Sequence, residues 1–223
     1  MQLEFIESKF MYKVIILFIL ITFPIHSVCQ KTEESESSLN FNISVADSPE
    51  VVPEEIDLIL TEISEKDFQS YLSDYKINCK IDSGKFVEGS GIYVRQFCDE
   101  ICETYLYEHK TNNRTMLPSD YDSGILGMLF SPSCKQLLVY SSYDGPDFDK
   151  YYDHRAELFI FNVAHGEGLN GIRQKLQYFS KSWSIESIVW VNEKSIALKI
   201  YEGEKHGDDA MINFKYYLTD LFK

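Results

Sequence analysis

The sequence predicts a mainly β (α+β) fold, in which an antiparallel meander of strands carries one N-terminal helix. From Cys79 onward, short runs rich in Tyr, Phe, Ile and Val are separated by clusters of Gly, Pro, Asn and Asp, the pattern of strands joined by turns. Little helical periodicity lies between these runs, which favours antiparallel pairing over a parallel sheet with helical crossovers. Helical periodicity is clear only before them, around residues 64–75.

Nine of these runs are predicted as strands. Two of them, 91–97 and 103–109, alternate between opposite faces, and Asn112 and Asn113 then signal a turn. Residues 172–183 are predicted to form a short helix at most. The predicted strands are 91–97, 103–109, 114–117, 125–130, 136–141, 157–163, 187–191, 195–201 and 211–218.

The predicted helix begins at Ser64, which is placed to form a capping box with Asp67 three residues on. Apolar residues then recur at i, i+3, i+4 and i+7, which gives one apolar face over about three turns. This face is expected to pack on one side of the sheet. The preceding stretch, 56–63, fits a strand or a helix equally well. The apolar face consists of Phe68, Tyr71, Leu72 and Tyr75.

Residues 1–29 have the features of a signal peptide. Lys9 and Lys13 supply positive charge, and 14–23 form an apolar run that is broken only by one threonine. This run is too short to cross a bilayer as a helix, which needs about 20 apolar residues. We expect cleavage after Cys29 and secretion or transport to the periplasm, with no transmembrane segment in the mature chain.

Two features of residues 1–29 stay open. Acylation of Cys29, as in a bacterial lipoprotein, is the alternative to free export, although the residues before it fit that pattern poorly. Translation could begin at Met1 or at Met11.

Residues 30–52 are rich in Ser and Glu and are predicted to be a flexible linker.

Residues 53–223 are long enough for a single antiparallel β domain with its own core. The full chain of 223 residues carries a net charge of −14. Because two acids and two bases cancel within residues 1–29, the predicted mature chain keeps this charge. Such an acidic surface repels nucleic acid and anionic lipid headgroups. It favours solubility, cationic partners or metal ions.

Four cysteines remain after the predicted cleavage site: Cys79, Cys98, Cys102 and Cys134. An even number in an exported protein favours disulfides, and three connectivities are possible. The short loop between Cys98 and Cys102 would place these two opposite each other, so we prefer this pair together with Cys79–Cys134. Unpaired structural thiols and a zinc site are the alternatives, and the spacing fits zinc poorly.

Residues 130–142, FSPSCKQLLVYSS, resemble the WD40-like, TolB-type β-propeller repeat, which reads aromatic, Ser-Pro-Asp-Gly-Lys, an aliphatic strand and Ser. The runs 104–109 and 157–163 resemble the strands that flank this unit. Residues 188–199 resemble a second, partial copy in which Trp190 takes the aromatic position. The resemblance is degenerate and covers about 80 residues, or less than two usual blades.

This resemblance implies a propeller-blade-like arrangement of the predicted meander. In the turn, Ser133 and Cys134 stand where the repeat has Asp-Gly. The chain is too short to close a ring of at least about four blades. Proteins of this type are binding scaffolds more often than carriers of any one activity, so the resemblance favours binding.

Two acidic loops supply the candidate binding residues. The first acidic loop, 144–153, contains four carboxylates and two tyrosines, and Tyr143 directly precedes it. The second acidic loop, 202–209, is also rich in acidic residues. Loops on a rigid sheet usually carry binding, and Tyr supplies contact area with a polar tip. Calcium is the one cofactor that the first loop could hold, and none is otherwise predicted. The candidate residues are Asp144, Asp147, Asp149, Tyr151, Tyr152, Asp153, Glu202 and Glu204.

Catalytic motifs are weak or missing. Residues 166–171 read G-x-G-x-x-G, but their neighbours are predicted antiparallel strands rather than a βαβ unit, so we interpret them as a surface loop. The sequence has no G-x-S-x-G, and its five histidines are scattered. The sequence therefore predicts an exported, non-enzymatic binding domain that contacts a protein or cell-envelope partner through its acidic loops. The alternative is a small envelope hydrolase with an unrecognised site.

Overall fold

The computed structural model describes residues 53–81, 86–87, 89–145, 147–202 and 212–222. The chain divides into two units, Met1–Ala46 and Asp47–Lys223, and all described residues belong to the second. The predicted signal peptide and linker, 1–29 and 30–52, lie outside the described residues. No helix among the described residues has the length and apolar character required to cross a membrane.

The mainly β prediction is confirmed, and each of the nine predicted strands is present with small shifts of its ends. One ten-residue helix, α1 (Glu65–Asp74), precedes them, and a short helix, α2 (Phe148–Tyr151), lies between two of them. The strands are β1 (Glu54–Glu55), β2 (Thr61–Glu62), β3 (Ile92–Cys98), β4 (Cys102–Glu108), β5 (Asn113–Met116), β6 (Gly127–Phe130), β7 (Gln136–Ser142), β8 (Ala156–Val163), β9 (Ile172–Ser180), β10 (Ser184–Trp190), β11 (Ser195–Tyr201) and β12 (Phe214–Asp220).

These strands form three sheets, and each sheet is built mainly from strands consecutive in the chain. Sheet I has the order β3-β4-β5, sheet II the order β1-β9-β8-β7-β6, and sheet III the order β10-β11-β12-β2. All pairings are antiparallel except that of β1 with β9, which is parallel. The described sheets do not close into a ring.

Strand β8 lies at the centre of sheet II and is buried on both faces. Leu158 and Ile160 pack with side chains of sheet III in one apolar cluster. Phe159 and Phe161 pack with side chains of sheet I in another. Because both faces are covered, this strand reads as a near-continuous apolar run instead of an alternating one. Sheet II is therefore the middle layer between sheets I and III.

Helix α1 covers part of the outer face of sheet III. Phe68 is buried there against Val189 and Ala197, and its ring centroid lies 5.5 Å from that of Tyr216. Three of the four residues on the predicted apolar face contact this sheet or the neighbouring core, whereas Leu72 is exposed. The face of the helix that makes these contacts is narrower than the periodicity predicts.

The capping box at the start of α1 is confirmed. The Ser64 hydroxyl accepts a hydrogen bond from the Asp67 backbone N–H at 3.1 Å, and the Asp67 carboxylate accepts one from the Ser64 backbone N–H at 3.3 Å. Hydrogen bonds from Ser64 lower the pKa of the Asp67 carboxyl below its ordinary value of 3.8.

Asp67→Asn is expected to destabilise the protein at neutral pH because the ionised carboxylate is the form that these bonds favour. A lowered folded-state pKa gives stability that is present above the unfolded pKa and lost as the pH falls through the folded value. The difference in melting temperature between the variant and the parent should therefore shrink as the pH falls below 3.8. A difference that persists unchanged in acid would contradict this role.

Strand β9 corrects the prediction for residues 172–183. Instead of a short helix at most, Ile172–Ser180 is a nine-residue strand that pairs along β8. Leu176 is buried, and half-buried Ile172 and Gln174 alternate with exposed Arg173 and Lys175 before it. The strand conformation is set by hydrogen bonding to β8, which tertiary structure provides and local propensity does not.

Both preferred disulfides are present. Cys98 bonds to Cys102 across the β3–β4 turn, and Cys79 bonds to Cys134 over a sequence separation of 55 residues. Cys134 has a φ of +60°, a backbone conformation that glycine adopts most readily. This is the position at which the propeller repeat has glycine. Disulfides of this kind are compatible with an oxidising, extracytoplasmic compartment.

Candidate functional site

The first acidic loop connects β7 to β8 and contains α2. The backbone N–H of Tyr143 donates to the carbonyl of Arg155 at 2.8 Å, which closes the loop at its base. Asp147 and Asp153 are exposed, and the Tyr151 side chain is 61% exposed. The loop therefore presents acidic groups and an aromatic ring to solvent from a fixed base, whereas Asp149 is placed only as part of α2.

Three tyrosine rings form this base. The ring centroid of Tyr152 lies 4.9 Å from that of Tyr121 and 4.9 Å from that of Tyr143. Tyr121 is buried, and its hydroxyl donates to the carbonyl of His154 at 2.8 Å. Burial raises the pKa of the Tyr121 hydroxyl well above its ordinary value of 10.0, so it stays a hydrogen-bond donor at neutral pH. The base is thus a packed group of aromatic rings that is anchored to the backbone of His154.

The structure places the first acidic loop beside the point where the second begins. Burial raises the pKa of the Tyr201 hydroxyl, at the end of β11, and the nearby carboxylate of Asp144 in the first loop raises it further. Glu202, which begins the second loop, follows directly and forms an ion pair with Lys215 at 2.8 Å. Glu204 lies outside the described residues. The first loop and Glu202 therefore lie at the same end of sheets II and III.

A cluster of metal-ligating side chains lies beside the tyrosine base. Asp120, His154 and Glu157 each offer one ligand atom, and these atoms all lie within 4.8 Å of one another. His154 Nε2 lies 2.5 Å from Glu157 Oε1 and 3.9 Å from Asp120 Oδ2. We call this set the His154 cluster. It is the one such group of three or more that the described part of the chain contains.

Glu157 is the buried centre of the His154 cluster. Its side chain is 0% exposed, whereas that of Asp120 is 74% exposed. The Asp120 backbone N–H donates to Glu157 Oε2 at 3.1 Å, so both carboxylate oxygens have a partner. Burial raises the pKa of the Glu157 carboxyl, and the hydrogen bond to His154 acts in the opposite direction. A buried carboxylate held by partners on both oxygens has a fixed orientation.

Sequence reasoning missed the His154 cluster. Its three members come from the loop after β5, the loop before β8, and β8 itself, so no spacing connects Asp120 with the other two. The sequence contained one signal of the cluster: Glu157 is a charged residue in a mainly apolar strand. Buried charged residues need partners, so this Glu implied a nearby group of opposite or hydrogen-bonding character.

Calcium binding by the first acidic loop remains a prediction. Among the described residues, the carboxylates of this loop do not form a group of three converging ligand atoms. Asp144 lies near Tyr201, and Asp147 and Asp153 are exposed.

Residues 166–171 form a surface turn, as predicted. A 3-10 helix, Gly168–Gly171, leads directly into strand β9. The dinucleotide fingerprint requires glycines between a strand and the N-terminus of an α-helix, where a pyrophosphate can bind. Here the glycines connect two antiparallel strands, β8 and β9, and this context does not supply that site.

A separate cavity of about 740 Å³ lies between sheet I and the edge strand β6. Its lining is mainly apolar and includes Val94, Met128 and Phe130, with Arg95, Gln96 and Thr104 as polar or charged members. The volume falls within the range of about 300–1,000 Å³ that small-molecule sites occupy. It lies away from the acidic loops and contains none of their residues.

Comparisons of the chain with family models, curated proteins and solved structures give no match. Function therefore has to be argued from the surface that the acidic loops form and from the His154 cluster beside it.

Proposed function

We propose that this protein is an exported, non-enzymatic binding domain that contacts a cationic protein or cell-envelope partner through its two acidic loops. The observation that supports the proposal is that the first loop lies beside the end of strand β11, directly before the second loop: Ser184 pairs with Tyr201, and its hydroxyl donates to the Tyr143 carbonyl at 2.8 Å. We infer that the two loops, whose first residues Asp144 and Glu202 lie 58 positions apart in the chain, form one surface.

The chemistry of this surface suits a protein partner. Exposed Asp147 and Asp153 supply negative charge, and Tyr151 adds an exposed aromatic ring. Aromatic residues are enriched at interface cores, while charges around them steer the encounter and select the partner. The net charge of −14 adds a negative electrostatic field around the whole chain. A partner with a basic surface fits these features best.

The architecture supports the same proposal. The three sheets pack face to face in the order in which they occur in the chain, as consecutive propeller blades do, and the resemblance at 130–142 points to the same class of scaffold. The two disulfides support export to an oxidising compartment. A rigid, stacked sheet structure with loops at its end is a frequent arrangement for binding.

Affinity capture from the organism's own envelope extract tests the proposal. The tagged protein is expected to retain a partner in stoichiometric amount at low salt and to release it at high salt, because exposed charges are screened beyond about 8 Å at physiological ionic strength. A partner retained equally at both salt concentrations would contradict binding through the acidic surface. An empty column at both salt concentrations would contradict the binding function itself.

A small envelope hydrolase is the second candidate, and the observation that favours it is the His154 cluster. A histidine between two carboxylates is an arrangement that general acid–base catalysis uses. Ser141 is the cross-strand neighbour of Glu157, but its hydroxyl is fully buried and so does not reach solvent as a nucleophile would. Turnover of ester or peptide substrates that His154→Gln abolishes would favour this candidate over the binding domain.

A further inference from the structure

We propose that the His154 cluster is a binding site for a divalent transition-metal ion of the zinc type, with Asp120, His154 and Glu157 as the protein ligands. This inference is independent of the proposed binding function, because no described carboxylate of the acidic loops belongs to the cluster.

The donor set fits such an ion. One imidazole nitrogen and two carboxylate oxygens are ligands that zinc accepts at about 2.0–2.2 Å, usually with water in the fourth position. Ligand atoms in a tetrahedral site of this size lie about 3.4 Å apart. The distance from His154 Nε2 to Asp120 Oδ2, 3.9 Å, is close to this value, and the 2.5 Å between His154 Nε2 and Glu157 Oε1 must widen. His154 lies in a loop, where such a shift is least restricted.

The carboxylate ligand at the centre is already oriented. The Asp120 backbone N–H holds Glu157 Oε2, which leaves Oε1 directed toward His154. Metal-binding carboxylates are typically held in this way by a hydrogen bond to the oxygen that does not coordinate.

A second, independent observation is a buried hydroxyl group, that of Ser141, beside the His154 cluster. Ser141 pairs with Glu157 across strands β7 and β8, so both side chains lie on one face of sheet II as close neighbours. The Ser141 side chain is 0% exposed, and its hydroxyl has no hydrogen-bond partner among the described residues. Buried hydroxyls without a partner are rare and costly. A water molecule bound to the ion would give this hydroxyl its missing partner.

The imidazole distinguishes the type of ion. Calcium and magnesium bind oxygen ligands, and calcium takes about six to eight of them. Imidazole favours zinc, copper, iron or nickel. The aromatic rings of Tyr121 and Phe179 lie against His154, with the Phe179 centroid 4.5 Å away. A small, four-coordinate ion is therefore the expected occupant.

Calorimetric titration of the purified, EDTA-treated protein with zinc chloride tests this site. We expect binding of one zinc ion, with affinity reduced at least about 10-fold in Asp120→Asn and in His154→Gln. Asp122→Asn and His109→Gln are matched controls from outside the cluster, and we expect both to bind zinc as the parent does. Because Asp120 is exposed, its variant keeps the fold and the test does not depend on His154 alone.

Cobalt(II) supplies a readout of the ligands themselves. The cobalt-loaded parent should show visible absorption bands of a nitrogen- and oxygen-ligated ion, and His154→Gln should lose them. Zinc affinity that is equal in the parent and in both cluster variants would show an adventitious ion only and overturn the proposal. Calcium that displaces zinc at equal concentration would likewise contradict an imidazole ligand.

Discussion

Removal of the Cys79–Cys134 disulfide is expected to lower the free energy of unfolding by about 4 kcal/mol. The bond closes a loop with a sequence separation of 55 residues, and loop-closure entropy gives this magnitude for a loop of that length. The bond also fixes the chain after α1 to the turn between β6 and β7, where Cys134 is fully buried. Urea unfolding of the double variant Cys79→Ala with Cys134→Gly measures the loss. Glycine is used because the φ of +60° at this position strains other residues.

The second disulfide is the matched control. Cys98 and Cys102 are separated by only four residues, and the same entropy relation gives about 2 kcal/mol for their removal. The expected result is therefore a clearly larger loss for the long loop than for the short one. Equal losses for both pairs would contradict the view that the Cys79–Cys134 bond stabilises the domain by connecting distant parts of the chain.

Trp190→Ala is expected to destabilise the protein by about 3–5 kcal/mol, the usual cost of removing a buried tryptophan from a core. Trp190 ends strand β10, is 1% exposed, and packs in the cluster between sheets II and III. Its indole Nε1 also donates to the carbonyl of Leu129 on the edge strand β6, at 3.1 Å. One side chain thus joins two sheets by packing and by a hydrogen bond. Thermal and urea unfolding monitored by circular dichroism measure the effect.

Two variants separate these contributions. Trp190→Phe keeps most of the packing but leaves the Leu129 carbonyl without its donor, so we expect a loss of about 1–3 kcal/mol. Phe97→Ala removes an aromatic side chain that is 65% exposed on sheet I, and we expect a change within about 0.5 kcal/mol. A loss from Trp190→Ala as small as that from Phe97→Ala would contradict the stacking of sheet II on sheet III.

The parts of the fold that were predictable from the sequence are those with local causes. The Ser64 cap acts over three residues, and the alternation at 91–97 and 103–109 reflects the strand period itself. The pairing of Cys98 with Cys102 follows from the short turn that separates them. In each case the interaction that specifies the structure lies between residues close in the chain.

Strand β9 and the two shortest strands depend on distant partners. Strand β9 contains three good helix formers, Arg173, Gln174 and Lys175, so its local propensity favours a helix. Its strand conformation comes from pairing with β8. Strands β1 and β2 have two residues each and exist only because β9 and β12 offer edges to pair with. Propensity within so short a segment carries almost no information about such pairing.

The candidate site was predictable in part. The first acidic loop and its tyrosines were identified from composition, but the contact of Asp144 with Tyr201 depends on how sheets II and III pack. The His154 cluster was missed for the same reason, since Asp120 and Glu157 meet only after β5 and β8 are in place. Convergence of distant residues is a property of the tertiary structure.

The most direct test of the account is the affinity of the captured partner for two charge-matched variants. Asp147→Asn with Asp153→Asn removes two exposed charges from the first acidic loop, and Asp99→Asn with Glu100→Gln removes two exposed charges from the β3–β4 turn. We expect the loop variant to bind at least about 10-fold more weakly and the turn variant to bind within about two-fold of the parent. Equal affinities for the two variants would contradict binding through the acidic loops.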